Sequence, residues 1–417
     1  MVGKDDNGIV EVVHPICCGL DVHKQRISAS LIISSVFGGQ RVEVEEFGTF
    51  TDDLIRMRSW LVEHNCPIVA MESTGIYWRP VHHVLEGYME VILVNARHIK
   101  NLPGRKTDIC DSKWLAGLLR HGLLKGSFIP PKEVREWRDL TRLRRTYVES
   151  LSDYKRRTHK LFESANIKID SVVSDLFGVT GRNLMQLLVQ GTYEISQEQM
   201  ESCLRGKLKD KREELFRSIQ GFFTHHHRYL LSSLLRIIAG LEEEIEALNE
   251  RLRKVMESRN PILERIMEVT GISEVSARAI LAEIGPTMDP FRTSAAICSW
   301  SGLCPGNNES AGKRHSGRSP VRKHHLKTIM LEVGWAAVKT KGSYYLEKYY
   351  RLKARRGAKR AIVAIAHRLL KAVYHIIRDG VSFKDLGEGY LEQNQQAKLK
   401  RLNHQAHKLG YQLVPQA

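Results

Sequence analysis

The first hundred residues contain five short runs rich in apolar and β-branched residues, with segments of helical spacing among them. Residues 51–64 repeat apolar side chains every three or four positions, and a second helix is expected to end at Tyr88. Alternating strands and helices are typical of an α/β sheet domain. The predicted strands cover residues 15–20, 26–36, 41–50, 67–71 and 90–95.

Acidic residues close two of these runs. Asp21 follows the first run and Glu72 follows the fourth, and sites of α/β domains lie at such strand ends. Asp108 and Asp111 would lie one turn apart on one helix face. Like charges so close repel unless a cation lies between them, and a hard ion such as Mg²⁺ prefers oxygen ligands. The alternative is an ordinary solvated helix N-terminus, which also favours aspartate.

Three motifs that carry these acids resemble a known family. They are Gly-Leu-Asp-Val-His-Lys at 19–24, Glu-Ser-Thr-Gly-Ile-Tyr at 72–77 and Lys-Thr-Asp-Ile-Cys-Asp at 106–111. The chain resembles the DEDD transposases of the insertion-sequence-110 family, the bridge-RNA-guided recombinases. The resemblance implies an α/β, RNase H-like (RuvC-like) domain over residues 1–128, joined to an all-α remainder. It also implies a catalytic, Mg²⁺-binding tetrad of Asp21, Glu72, Asp108 and Asp111.

The middle of the chain, residues 129–260, is predicted to be helical. A heptad repeat begins at Leu140 and ends at Leu161, and residues 234–255 carry apolar side chains at alternating spacings of four and three. Both patterns are typical of coiled coils. The spacing is compatible with pairing between the two seams and with dimerisation. Between them, residues 164–222 are predicted to form an insert of several short helices.

Residues 261–385 are predicted to form a helical C-terminal domain, followed by a polar tail over 386–417. Residues 269–273, Val-Thr-Gly-Ile-Ser, join two helical patterns through a glycine turn. This arrangement resembles a helix-hairpin-helix, whose backbone amides can hold a phosphate without reading sequence. An ordinary tight helix pair is the alternative.

A serine in this C-terminal region is a candidate nucleophile. Trp-Ser-Gly-Leu-Cys-Pro at 300–305 is followed, after a short gap, by Glu309-Ser310. This segment resembles the C-terminal transposase domain of the same family, which carries its catalytic serine in a Glu-Ser-Gly run. The resemblance implies that Ser310 is that serine, although Ala311 stands where the family has glycine. A serine attacks a phosphate only when the phosphate charge is neutralised, and cations follow Ser310 closely.

The positive charge predicts a polyanionic partner, and nucleic acid is the expected one. The net charge is +17 and the pI is about 9.5. Residues 313–360 alone hold 15 Lys or Arg against two acids. A solvated helix face is the alternative for such cations. Those predicted to contact nucleic acid are Arg142, Arg145, Arg156, Arg157, Arg278, Lys313, Arg314, Arg318, Arg322, Lys323, Arg355, Arg356, Lys359 and Arg360.

The remaining composition is typical of a cytosolic protein. Seven cysteines without a Cys-x-x-Cys pair are expected to be reduced core thiols. No apolar run is long enough for a membrane helix, and the polar N-terminus is unlike a signal peptide. We therefore expect no membrane partner and a place in the bacterial cytosol or nucleoid.

The residues and the resemblance predict a transposase, a site-specific DNA recombinase of an insertion sequence. The family implies guidance by a structured bridge RNA, a serine–phosphate intermediate on donor and target DNA, and a homodimer that assembles into a tetramer. One alternative is a metal-dependent, hydrolytic nuclease resembling Holliday-junction resolvases, with Ser310 a bystander. Another is a non-enzymatic nucleic-acid-binding scaffold in which the acids are structural.

Overall fold

A computed structural model gives the fold in two compact units, Met1–Ile129 and Pro130–Ala417. Hereafter these are the first and second units. The structure describes residues 11–34, 39–73, 75–95, 111–191, 195–305, 308–310, 313–316, 324–387 and 389–412.

Within the described residues, the first unit is a five-stranded mixed sheet with helices on both faces. Its strands are β1 Ile16–Val22, β2 Ile27–Ser34, β3 Gln40–Phe47, β4 Ile68–Glu72 and β5 Glu90–Val94. Its helices are α1 Thr51–Glu63, α2 Trp78–Leu85 and α3 Asp111–Arg120. The strand order is β3-β2-β1-β4-β5, with β1 antiparallel to β2 and parallel to β4. The predicted α/β fold of this region is confirmed.

Alternating side chains give the central strands two buried faces. Leu20 and Met71 lie on the face that packs against α1 and α2, whereas Cys17 and Ala70 lie on the face under α3. All four residues are fully buried. Burial on both faces explains why these strands are almost continuously apolar in sequence.

Helix α3 lies directly against the backbone of β1 at Gly19. A Cβ atom added to Gly19 would lie 2.2 Å from the carbonyl oxygen of Ser112 and 2.5 Å from the amide nitrogen of Ala116. The Ser112 hydroxyl also hydrogen-bonds the Ser30 hydroxyl of β2, with an Oγ–Oγ distance of 2.8 Å. The absence of a side chain at Gly19 therefore fixes how closely α3 sits on the sheet.

The second unit is helical apart from one small antiparallel hairpin in its described residues. The hairpin strands are β6 Asn308–Ser310 and β7 Lys313–Ser316, and 3₁₀ helices span Gly206–Lys211 and Glu257–Arg259. No helix in the described part of the chain combines the length and apolarity needed to span a bilayer. The helices are α4 Lys132–Ser164, α5 Ile169–Val172, α6 Val179–Gln190, α7 Gln197–Ser202, α8 Arg212–Ser218, α9 His225–Val255, α10 Asn260–Met267, α11 Glu274–Ile284, α12 Ser294–Trp300, α13 His325–Ala337, α14 Tyr344–Arg356, α15 Ala358–Asp379 and α16 Tyr390–Lys408.

The two longest helices, α4 and α9, pack side by side within the chain. Nε of Arg144 donates to Oδ1 of Asn249 at 2.5 Å, and Nζ of Lys155 lies 3.2 Å from Oε1 of Glu242. Because the partners on α9 descend in number as those on α4 ascend, the helices run antiparallel. Pairing within one chain, one of the two arrangements that the spacing allowed, is therefore present, while a coiled coil and dimerisation stay predictions.

The insert between α4 and α9 forms a core of its own. Ile169, Leu184 and Leu215 from its short helices are buried in one cluster with Phe162 of α4 and Leu231 of α9. The prediction of several short helices here is confirmed. Since this core includes the adjoining ends of both long helices, the insert stabilises their pairing at that end.

Burial along α9 agrees with the predicted apolar seam only in part. Ile238, Leu248 and Leu252 are buried, whereas Leu241 and Ile245 are half-buried. Leu234 and Val255 are half-buried as well, so every predicted seam position is at least half-buried.

Cysteine thiols contribute to both cores. The six cysteines of the described residues are free, and five of them are buried. Burial raises the pKa of Cys17 to about 11 and that of Cys66 to about 12. These thiols are therefore protonated and unreactive at neutral pH, as expected for reduced core residues.

A charge at Ile238 should destabilise the second unit. Ile238→Asp should lower the free energy of unfolding by about 3 kcal/mol or more, because the fully buried carboxylate would have no partner. Ile237→Asp, at a neighbouring side chain that is 39% exposed, is the matched control and should cost less than about 1 kcal/mol. Urea denaturation of both variants measures the difference. Equal losses would contradict the orientation of α9 described above.

A methyl group at Gly19 should displace α3 from the sheet. Gly19→Ala should lower the free energy of unfolding by about 1–3 kcal/mol through overpacking against Ser112 and Ala116. Gly117→Ala in the same helix is the control: its new Cβ would meet nothing within 4 Å, so it should stabilise slightly. Thermal unfolding and amide exchange across α3 measure both effects. If Gly19→Ala is as stable as Gly117→Ala, the close contact is absent in solution.

Candidate active site and nucleic-acid interface

Asp21 and Glu72 lie side by side at one edge of the sheet. Strands β1 and β4 are parallel neighbours, and Leu20 pairs with Met71. The next residues on the two strands are the two acids, which alternation turns toward the face that α3 covers. Both side chains are half-buried. As expected, the backbone of the sheet places these two strand ends side by side.

The start of α3 lies at the same edge. Ser112, its second residue, sits over Gly19, while at its other end the carbonyl oxygen of Arg120 accepts hydrogen bonds from the amides of Val13 and His14, before β1 begins. Helix α3 therefore runs antiparallel to β1, with Asp111 as its first residue near the carboxyl end of that strand. The positive end of the helix dipole also favours negative charge at this edge.

Three of the four predicted metal ligands thus belong to one edge of the sheet, and the fourth, Asp108, lies outside the described residues. Among the residues that the structure describes, no group of three or more His, Cys, Asp or Glu side chains is placed to hold a metal ion. Carboxylate oxygens are nevertheless the donors that a hard divalent cation prefers. Asp21, Glu72 and Asp111 carry such oxygens, and a metal site that includes them together with Asp108 stays a prediction.

One neighbour of this site was not predicted. Nε2 of His23 lies 3.0 Å from Oδ2 of Asp21 in a hydrogen bond, two residues beyond it in the turn after β1. His23 stands in the Gly-Leu-Asp-Val-His-Lys motif, so the residue was visible in the sequence. Its contact was not, because it depends on the bend of the chain. The histidine can hold the Asp21 carboxylate in one orientation.

Ser310 is the last residue of strand β6. It pairs with Lys313, the first residue of β7, and Glu309 pairs with Arg314. Two residues, Ala311 and Gly312, separate the pair in sequence. This hairpin was not predicted from the sequence, because the segment is short and polar and has no alternating apolar pattern. The hairpin brings the backbone of two cations next to that of the serine.

The clearest of the predicted nucleic-acid contacts in the described residues is at the junction of α14 and α15. Four exposed cations, hereafter the junction cluster, surround Gly357, whose φ of +76° allows the sharp turn between the helices. Exposed charges free to approach a phosphate are what a sequence-independent contact requires. The junction cluster consists of Arg355, Arg356, Lys359 and Arg360.

Several other predicted contacts have acidic partners within the protein. Arg142 donates through Nε and Nη2 to the two carboxylate oxygens of Glu283, both at 2.9 Å. Arg145 donates to Glu149 at 2.9 Å and to Glu332 at 2.8 Å. Ion pairing of this kind reduces the charge that is free for a phosphate. A nucleic-acid role for Arg142 and Arg145 therefore stays a prediction.

Arg156 and Arg157 of α4 are exposed. Arg156 forms an ion pair with Asp153, and the Arg157 guanidinium lies 5.3 Å from the ring centroid of Tyr154. Both remain candidates for backbone contacts. The last predicted cation on a described helix, Arg278, is only 9% exposed and pairs with Glu274.

The remaining predicted cations lie near Ser310 in sequence. Lys313 and Arg314 belong to β7, and their strand is described by its backbone pairing. Arg318, Arg322 and Lys323 lie outside the described residues. Their proposed role of neutralising phosphate charge beside the serine stays a prediction.

Glu283 is a partner that the sequence did not reveal. Its side chain is nearly fully buried. Burial by itself would raise the pKa of Glu283, but the hydrogen bonds and charge of Arg142, together with the charge of Arg138, lower it below its ordinary value. The carboxylate is therefore ionised at neutral pH and holds α11 against α4.

The glycine turn between α10 and α11 is also partly enclosed. A Cβ atom on Gly271 would lie 2.6 Å from the amide nitrogen of Ala337 and 2.7 Å from the carbonyl oxygen of Val333, so α13 covers this side. The Thr270 hydroxyl donates to the Asp385 carboxylate at 2.7 Å. Two helices joined by a glycine turn are present, whereas phosphate binding at the amides of that turn stays a prediction.

Comparisons with known proteins identify two regions of the chain. Residues 18–167 match the family model of the DEDD transposases of the IS110 group, described as a transposase. Residues 263–351 match the family described as Transposase IS116/IS110/IS902. A comparison with curated proteins found no match.

One similar solved structure is T. thermophilus RuvC in complex with Holliday junction substrate. It shares 14% identity, covering 27% of this chain and 100% of that one, with a TM-score of 0.21. A similarity this low carries no argument of its own. Family membership follows instead from the two family matches, which together cover more than half of the chain, and from the mixed sheet. The chain has an RNase H-like N-terminal domain with a mostly helical remainder, and it belongs to the IS110 family of DEDD transposases, enzymes that cut and rejoin DNA.

Proposed function

We propose that this transposase cuts and rejoins the DNA of an insertion sequence through a covalent serine–phosphate intermediate. The observation that carries the proposal is that one chain combines two features: Asp21, Glu72 and the start of α3, bearing Asp111, share one sheet edge, and Ser310 lies in a second transposase match. These acids lie within the matched residues 18–167, while Ser310 lies within the second matched region. DNA is thus the substrate, and the acids and the serine supply the chemistry.

A divalent metal cofactor is implied by a DEDD transposase. We propose Mg²⁺, held by Asp21, Glu72, Asp108 and Asp111, since all four supply carboxylate oxygen. Such an ion, when bound, offsets negative charge on the scissile phosphate. His23 would keep the Asp21 carboxylate oriented through its 3.0 Å hydrogen bond.

In the proposed cleavage step, Oγ of Ser310 attacks the scissile phosphorus. The Oγ–P bond forms as the bond from phosphorus to one DNA oxygen breaks. The Ser310 hydroxyl loses its proton, and the departing oxygen gains one. Rejoining is the reverse attack by a DNA hydroxyl, which releases the serine. Lys313, Arg314, Arg318, Arg322 and Lys323 would offset the phosphate charge.

The guide RNA, the oligomeric state and the location are proposed from the family resemblance. We propose that a structured bridge RNA pairs with donor and target DNA, so that base pairing supplies sequence specificity and the protein contacts backbone and shape. Homodimers would assemble into a tetramer, with the acids and Ser310 forming a composite site between protomers. The reaction would take place in the bacterial cytosol or nucleoid.

A second candidate is a hydrolytic nuclease that uses the acid site alone. The observation that favours it is that three acids meet at a sheet edge without any contribution from Ser310. Water would then be the attacking group, and no protein–DNA adduct would form.

Removal of the Ser310 hydroxyl distinguishes the two candidates. Ser310→Ala should reduce strand cleavage at least about 10³-fold, because the attacking oxygen is lost, while DNA binding persists. Reactions stopped in denaturant should show wild-type protein attached to a DNA end, with the attachment mapped to Ser310. Ser299→Ala, at an exposed serine of α12, is the control and should behave as wild type. Full cleavage by Ser310→Ala without an adduct would establish the hydrolytic alternative.

Charge reversal in the junction cluster tests the DNA contact. Replacing Arg355, Arg356, Lys359 and Arg360 with Glu should weaken binding to all DNA sequences alike, because phosphate contacts carry no sequence information. The slope of log affinity against log salt should fall by about 0.9 for each phosphate that the variant no longer neutralises. Reversal of the exposed Lys209, Lys211, Arg212 and Arg217 of the insert is the matched control. If the two quadruple variants show the same slope, the junction cluster is not a main contact.

A further inference from the structure

Two large aromatic side chains of the second unit are exposed on either side of a buried one. Trp335 of α13 is 43% exposed and Tyr350 of α14 is 58% exposed, whereas Tyr349 between them is buried. The ring centroids of Trp335 and Tyr349 lie 5.7 Å apart, and those of Tyr349 and Tyr350 lie 5.6 Å apart. The two exposed rings are therefore within about 11 Å of each other. We call these three residues the aromatic patch.

The buried ring of Tyr349 holds both exposed rings in place. Each of them meets it in a T-shaped arrangement, with interplanar angles of 64° and 66°, which is a favourable geometry for aromatic pairs. Tryptophan is highly buried on average, so an exposed one forfeits hydrophobic stabilisation. Rings that are fixed in advance lose little freedom when a ligand stacks on them. The aromatic patch thus has the properties of a preformed stacking surface.

Exposed cations lie next to the aromatic patch. Nζ of Lys353 is 5.7 Å from the ring centroid of Tyr350, and Lys339 is exposed four residues after Trp335. Arg356, which belongs to the junction cluster, is exposed three residues after Lys353, about one helical turn along α14. Within the described part of the chain, none of these three cations has an acidic partner. Their charge is therefore available to an anion.

The acids that lie close to the aromatic patch in sequence are already paired. Glu332 of α13 accepts a hydrogen bond from Arg145 at 2.8 Å, and Glu347 of α14 forms an ion pair with Arg351, also at 2.8 Å. Their charges are offset within the protein, whereas those of the three cations are not. A partner that fits this surface therefore combines negative charge with flat groups that stack on aromatic rings.

An unpaired nucleic-acid strand has both properties. The bases of a duplex stack on one another and leave no free face for a tryptophan or tyrosine, so a duplex would engage only the cations. The bases of an unpaired strand expose their faces, and stacking on aromatic rings tolerates every base. A stacked strand rises about 3.4 Å per nucleotide, so the separation of the two exposed rings corresponds to about three nucleotides at most.

We infer that the aromatic patch binds a short unpaired stretch of DNA, whose bases stack on Trp335 and Tyr350 while its phosphates contact Lys353 and Arg356. DNA is the source because the IS110 family cuts and rejoins DNA, and because the patch adjoins the junction cluster. Transfer of a strand from one duplex to another requires that the strand be unpaired in between. The inference rests on the proposed function through this strand transfer and through the DNA contact of the junction cluster.

The test uses the full-length protein and three probes. They are a twenty-nucleotide single-stranded DNA, the fully paired duplex of that sequence, and the RNA strand of the same sequence. Tyr350→Leu and Trp335→Leu each remove one ring while keeping an apolar side chain and every charge. Tyr350→Phe keeps the ring. Tyr229→Leu, at a 66% exposed tyrosine of α9 outside the aromatic patch, is the matched control.

Tyr350→Leu and Trp335→Leu should each weaken binding of the single-stranded DNA about tenfold, because each removes stacking on one base. The single-strand affinity of Tyr350→Phe and Tyr229→Leu, and the duplex affinity of all four variants, should stay within about twofold of wild type. The slope of log affinity against log salt should not change, because no charge is lost. Reversal of the junction cluster, by contrast, lowers that slope. If Trp335→Leu does not fold, Tyr350→Leu decides the question.

Wild-type affinity for the single-stranded DNA in Tyr350→Leu would overturn the inference. So would an equal loss of duplex affinity, or tighter binding of the RNA strand than of the DNA strand. Formation of the Ser310–DNA adduct is measured in parallel. An adduct together with unchanged single-strand affinity in Tyr350→Leu refutes only the aromatic patch. A wild type that forms no adduct, but whose single-strand affinity depends on Tyr350, refutes the serine mechanism and leaves the aromatic patch in place.

Discussion

The contact between the backbone of β1 at Gly19 and the first turns of α3 is the one on which the acid site depends. With no side chain in the way, the helix comes close enough for Ser112 to reach Ser30 on the next strand. That closeness sets where Asp111 begins the helix relative to Asp21 and Glu72, whose own spacing is fixed by the parallel pairing of β1 with β4. The arrangement of the acids is thus controlled mainly by backbone packing, and a small shift of α3 would move Asp111 relative to the other two acids.

Much of this region could be predicted from sequence because its signals are local. The apolar runs marked all five strands, and Asp21 and Glu72 marked two of their ends. Strand order depends on contacts between distant segments, so nothing near Asp21 revealed that β4 would be its parallel neighbour. The hydrogen bond from His23 and the hairpin at Ser310 were missed for a related reason. One depends on the shape of a turn, and the other joins strands of only three and four residues.

The arginines show where local reading fails most clearly. Arg142 and Arg355 look alike in sequence, but Arg142 meets a carboxylate 141 residues away and Arg355 faces solvent. Charge counting gives the sum of such residues and not their partners. The buried Glu283 keeps its charge because Arg142 pairs with it. The same ion pair makes the charge of Arg142 less available to a phosphate. The second unit is therefore less uniformly cationic toward a partner than its composition indicates.

The length of α4 has a consequence of scale. Its 33 residues extend about 50 Å along the helix axis, with the insert core at one end and the junction with the first unit at the other. Double-stranded DNA rises about 3.4 Å per base pair, so this helix alone is as long as about fifteen base pairs. A nucleic acid that touched both ends of α4 would have to span more than one full turn of duplex. The antiparallel pairing with α9 runs along much of that length, so the two ends of α4 are held at a fixed separation.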